Sequence, residues 1–228
     1  MRINFGPGMG LGVAVLGALL AVSGAQAIGF AVQPVLVTTH DGWASLTVTN
    51  PSKTTKIYIE TAIYDWSKGP DGKDKLVEAT DAEISPPGIW VPGGAAYTIR
   101  VKMPVATGHA DLPFRIFIKN VPSAADFHDG GVLLALEDSI PAFSVPPDPT
   151  PPVLSGAVTQ DGQLVLTNQG GEYLRIMKVT QDGRILASGL VGYALPNTRS
   201  VFQFHTPVQP GAITLETDQG EKTIELTR

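Results

Sequence analysis

The residues that could do chemistry are few and scattered. The four histidines are His40, His109, His128 and His205, and no two stand at a spacing that would put both imidazoles on one metal. His109-Ala110-Asp111 and His128-Asp129 set a carboxylate beside an imidazole, an arrangement that can orient a general base. No third ligand or nucleophile accompanies either pair, so both read as solvated loop residues. Glu78, Asp81 and Glu83 offer oxygens without the loop spacing that calcium sites need, and read as a solvated face. There is no Gly-x-Ser-x-Gly elbow and no glycine-rich phosphate loop ahead of a helix. Trp43, Trp66 and Trp90 read as core or strand-end aromatics rather than a sugar platform. The expectation is a protein that is not an enzyme, with no metal, no cofactor and no small-molecule substrate.

Composition excludes further classes. The 228 residues are 43% hydrophobic and 16% charged, with a net charge of −5, which suits a folded chain with a real core rather than a disordered one. A pI near 5.3 argues against nucleic acid as a partner. The absence of cysteine removes disulfides, thiolate metal sites and thiol catalysis. At the N-terminus, Arg2, the apolar run Met9 to Val22 and Ala25-Gln26-Ala27 form the three parts of a secretory leader, with cleavage after Ala27. The run is too short and too glycine-broken for a spanning helix. Export without disulfides points to the periplasm.

The elements that follow read as strands. Val35-Leu36-Val37, Leu46-Thr47-Val48-Thr49, Ile57 to Tyr64, Tyr97 to Val101 and Phe114 to Lys119 alternate or are rich in β-branched and aromatic residues, and Val132 to Val145 is the longest strand candidate. About seven strands over residues 28–145 fit an immunoglobulin-like sandwich. Residues 146–152 hold five prolines in seven positions and predict a stiff linker. Residues 153–228 predict a second, smaller β-sandwich domain, with hairpin turns at Asp161-Gly162, Asp182-Gly183 and Asp218-Gln219-Gly220. The segment Val132-Leu133-Leu134-Ala135-Leu136 is apolar on both faces. It predicts either a strand buried on both sides or an edge that a partner covers.

Four stretches resemble the periplasmic chaperones of the chaperone–usher pathway of pilus assembly. They are Gln33 to Val37 with Leu46 to Asn50; Ile84-Ser85-Pro86-Pro87-Gly88-Ile89-Trp90-Val91-Pro92-Gly93 with Tyr97 to Val101; Leu112 to Pro122; and Leu134-Ala135-Leu136 through Ile140 to Pro146. The resemblance implies two immunoglobulin-like domains arranged as an L with a cleft between them. It further implies donor-strand complementation: the chaperone lends its last strand to a pilus or fimbrial subunit, filling the groove with Val132, Leu134 and Leu136, and delivers the subunit to an outer-membrane usher. The chain departs from the pattern at the anchor. Where the family places an Arg and a Lys that hold the subunit's terminal carboxylate, this sequence has Leu36 and Pro141, and no Lys or Arg lies between Ile28 and Ser52 or between Val132 and Val145. Arg100, Arg115 and Lys119 are the candidate substitutes, with Lys102 beside them. Two readings follow, a divergent chaperone and a structural or adaptor protein on the same scaffold, and a self-capping dimer through the apolar edge is compatible with either.

Overall fold

A computed structural model describes residues 29–122 and 135–228. The leader, His128, and Val132 and Leu134 lie outside the described residues.

Two β-systems follow one another. In the first, β1 (Ala31–Gln33), β3 (Trp43–Thr49), β8 (Ala96–Lys102) and β6 (Glu83–Ser85) form a four-stranded sheet in the order β1-β3-β8-β6. Facing it, β2 (Val37–Thr39), β10 (Glu137–Ser144), β9 (Leu112–Asn120), β4 (Ile57–Lys68) and β5 (Asp74–Glu78) run in that order, with β7 (Gly88–Val91) also on β4. Alternation decides which side chains meet between the sheets. Leu46 and Val48, Ile57 and Ile59, Ile99 and Val101, and Ile116 and Ile118 point inward and are buried in one core.

The second system is β11 (Leu154–Val158), β12 (Leu164–Asn168), β13 (Leu174–Gln181), β14 (Arg184–Ala194), β15 (Thr198–Phe202), β16 (Gly211–Thr217) and β17 (Gly220–Thr227). They form one sheet in the order β14-β13-β16-β17-β11-β12-β15, curled so that β14 touches β12 and β15. Leu164, Leu166, Leu174, Ile176, Ile213 and Leu215 fill its interior. The architecture is two immunoglobulin-like domains. The hairpin turns fall where the Asp-Gly pairs stand. Asp182 and Gly183 both take positive φ, 50° and 74°, between β13 and β14, the two-residue turn whose twist matches its strands.

Each domain closes a strand end with a buried asparagine. Asn50 follows β3, and its amide donates to the carbonyls of Thr55 and Val91. Asn168 ends β12, and its amide donates to the carbonyls of Glu172 and Ala194. Both cap loop backbone that would otherwise be buried unpaired.

Some predicted boundaries change. The opening stretch is divided, because the chain leaves β1 in one sheet and enters β2 in the other, so Val35 and Leu36 lie in the crossing and only Val37 is in a strand. The first system holds ten strands among the described residues rather than about seven. The long strand expected from Val132 is described as a strand only from Glu137. The tryptophans divide between core and strand ends: Trp66 is buried, and Trp43, the first residue of β3, and Trp90, next to the last residue of β7, are 58% and 46% exposed.

The domains meet through an aromatic cluster. Trp66 from β4 and Phe143 from β10 pack with Tyr193 and Leu195 from the second domain. Phe143 and Tyr173 stack with ring centroids 3.7 Å apart. Around the cluster, Gly171 accepts from the Asp111 amide at 2.8 Å, and a side chain at Gly171 would collide with the His109 carbonyl. Thr150, inside the proline-rich segment, donates its amide to the His109 carbonyl. At the far side Val201 donates to Gly72 in the turn between β4 and β5. Replacing Phe143 by Ala deletes a fully buried ring shared by both domains. It is expected to lower unfolding free energy by about 3–5 kcal/mol, measured by urea denaturation, against less than about 0.5 kcal/mol for an exposed control such as Glu225→Ala.

Candidate functional site

A groove of about 680 Å³ runs between the two domains. From the first domain it is lined by Val35, Arg115, Ile140 and Pro141, and from the second by Arg175, Lys178, Leu190 and Tyr193. Its rims are apolar and open: Val35 is 72% exposed and Leu190 64%. Its cations come from strand geometry. On β9 the inward residues Phe114, Ile116 and Ile118 are core, so Arg115 points outward by alternation. On β13 and β14, Arg175 sits directly opposite Tyr193.

Arg115 is half-buried and held on three sides. Its guanidinium carbon lies 3.7 Å from the Trp66 ring centroid and 5.6 Å from that of Tyr193, and one terminal nitrogen donates to the Ser139 carbonyl at 3.4 Å. Burial draws its pKa below the ordinary guanidinium value and Asp74 opposes that shift, so the group remains charged. The Nε of Arg175 is buried with no acceptor. Lys178 is neutralised by Glu216. Among the described residues neither arginine is in an ion pair. The groove therefore holds two arginines with donor capacity to spare between apolar lips, and its lining also carries Asp138, which forms no ion pair among the described residues. That chemistry suits a carboxylate carried by an apolar chain.

One wall is a strand edge. β10 pairs with β9 over its whole length, from Glu137↔Lys119 to Ser144↔Leu112. On its other side it pairs with β2 only over Ala142–Ser144. Among the described residues no strand is paired to the edge of Glu137–Pro141, where the Ser139 carbonyl accepts from Arg115. Pro141 ends that open stretch, the position where a missing ladder donor does least harm, and no register shift accompanies it.

The predicted residues fall as follows. Leu136 lies just ahead of β10, 38% exposed, and its carbonyl accepts from the Asn120 amide at 2.9 Å. Arg115 is in the groove. Arg100 is exposed on β8, opposite Ser45 and Ser85 in the other sheet, and does not line the groove. Lys102 shares that sheet, its amine 5.6 Å from the Trp43 ring. Lys119 lies on the same sheet face as Arg115 and lines a second groove of about 630 Å³ with Tyr58, Tyr64 and Phe117. Leu36 is packed against the aromatic cluster and Pro141 is buried. His40 and His109 make hydrogen bonds to the carbonyls of Val145 and Asp148, and no group of three or more candidate metal ligands occurs among the described residues. Arg175 and Tyr193 escaped the sequence reading. Leu174-Arg175-Ile176 looks like any alternating strand, and only the cross-strand register brings it to the cleft.

Comparisons with known proteins bear on the fold. No protein-family model matches the chain, and no curated protein matches it. Solved structures do. A chain of the CsuC–CsuE chaperone–tip adhesion subunit pre-assembly complex of Acinetobacter baumannii superposes with a TM-score of 0.70 at 19% identity, over 87% of this chain and 98% of that one. A chain of the Salmonella enterica SafA pilin–SafB chaperone complex gives 0.64 at 17% identity, over 90% and 99%. The Escherichia coli chaperone DraB gives 0.63 at 18%, over 89% and 97%. The chain has the two-domain immunoglobulin-like fold of these proteins.

Next to the aromatic cluster, Asp111 is buried, with one oxygen accepting from the Tyr173 amide at 2.9 Å and the other unpaired. Burial pushes its carboxyl up to about 6, with Glu172 adding and the Tyr173 hydrogen bond opposing. The folded state therefore holds this proton more tightly than the unfolded chain, and stability falls as pH rises from about 4 to about 6. Asp111→Asn keeps the acceptor and removes the titration. Thermal melts across that window should show the unmodified protein losing stability relative to the variant, by on the order of 1 kcal/mol per pH unit at most.

Proposed function

We propose that this protein is a periplasmic chaperone that binds pilus or fimbrial subunits by donor-strand complementation and hands them to an outer-membrane usher. The observation that supports it best is the unpaired edge of Glu137–Pro141 beside a cationic interdomain groove, in a fold shared with pilus chaperones. In this reading the domains are residues 28–145 and 153–228 of an exported chain cleaved after Ala27, joined by 146–152. A subunit that lacks its last strand presents a hydrophobic groove. Val132, Leu134 and Leu136, in the segment that leads into β10, fill it, each worth about 1.5–3 kcal/mol of burial before ordering costs. Backbone pairing along Glu137–Pro141 sets the register.

The missing Arg and Lys are replaced by position rather than in place. Arg115 holds the subunit's terminal carboxylate, and Arg175, from the other side of the groove, completes the charge. Neither Arg100 nor Lys119 is needed for this role.

The test is co-purification of the tagged protein from the periplasm of a pilus-forming host. A pilin-sized partner should accompany the parent protein. It should be lost with Leu134→Glu, and be reduced about tenfold or more with Arg115→Ala, the loss expected for a desolvated charge-assisted contact. Circular dichroism must show both variants folded. Absence of a subunit from every sample, with all proteins folded, would contradict the chaperone reading and favour a structural or adaptor role.

A further inference from the structure

We propose that Trp66 and Tyr193 are positioning residues for Arg115, and that the carboxylate site exists only when both domains are docked. This rests on the reading that Arg115 binds a carboxylate. The two rings stand nearly perpendicular, 77° apart with centroids 5.3 Å apart, and form a corner. Trp66 belongs to β4 of the first domain and Tyr193 to β14 of the second. The Arg115 guanidinium carbon lies over the Trp66 ring and within reach of Tyr193.

Each wall of the corner is itself fixed. The Trp66 indole N–H donates to Asp74 at 2.8 Å, and Lys68 is bound to the same oxygen. The Tyr193 carbonyl accepts from the Ser200 hydroxyl at 3.3 Å, and its ring packs on Phe143. An arginine on an exposed strand face would sample many rotamers and lose that freedom on binding. Here two rings and the Ser139 carbonyl hold the guanidinium in advance, leaving its remaining N–H donors for a ligand. Because half of the corner comes from the second domain, separating the domains loosens the cation. By linkage, a bound carboxylate must in turn hold the domains together. The ligand class is a peptide with a free C-terminal carboxylate and apolar preceding residues, which suit Val35 and Leu190 at the rims.

The test uses the whole protein, ¹⁵N-labelled, and the tripeptide acetyl-Leu-Val-Leu as its acid and as its carboxamide. In the unmodified protein the Arg115 Nε–H resonance should be displaced by the ring currents of Trp66 and Tyr193. The acid should bind more tightly than the carboxamide by about tenfold. Tyr193→Leu should abolish most of that preference and relax the resonance, while Tyr193→Phe should keep both. If the unmodified protein shows no ring-current displacement at Arg115, the corner is wrong, whether or not any variant folds. If folded Tyr193→Leu keeps the preference while Arg115→Ala loses it, the positioning role is wrong and the anchor stands. If Arg115→Ala keeps the preference, the anchor itself is wrong.

Discussion

The contact between the two domains is the constraint on which the rest depends. Two small sandwiches joined by a short segment would ordinarily move relative to one another. Here Trp66, Phe143, Tyr173 and Tyr193 interlock across the boundary, and Arg115 is packed into the same cluster. Aromatic rings at such separations gain beyond their buried area, and a guanidinium on an aromatic face keeps its charge while the ring replaces part of its hydration. The cluster therefore sets the distance between the domains and, by doing so, the width and charge of the groove.

That arrangement explains how a chain without the expected first-strand and last-strand cations still has a positive cleft. Arg115 and Arg175 lie on strands whose other faces are core, so alternation alone turns them outward. The domain contact then brings them to one groove. Pro141 fits the same logic. It occupies the last unpaired position of β10 before β2 joins, where a lost donor breaks no ladder bond.

Much of the fold was legible in the sequence, because it rests on local signals. Period-2 alternation placed β3, β8 and β9, and Asp182-Gly183 placed the β13–β14 turn. The crossing of the opening strand was not legible, since an apolar run does not say which sheet each half joins. The groove was legible only in part. Arg115 stood out as a cation among strand residues. Arg175 and Tyr193 did not, because their meaning comes from cross-strand pairing and from docking over a sequence separation of about sixty residues or more from Arg115. The exposure of Trp43 and Trp90 follows from their positions on an outer face and in an edge strand, which composition does not report.

The central claim is that the unpaired edge of β10 receives a strand from a partner. Hydrogen–deuterium exchange on the whole protein, alone and in the complex recovered with its subunit, tests it most directly. The account predicts rapid exchange in the free protein at the amides of Glu137 and Ser139, which face away from β9. In the complex those amides should be strongly protected, and the interior strand β12 should show no change. Protection of that edge already in the free monomer, or a complex in which it continues to exchange freely, would contradict the account.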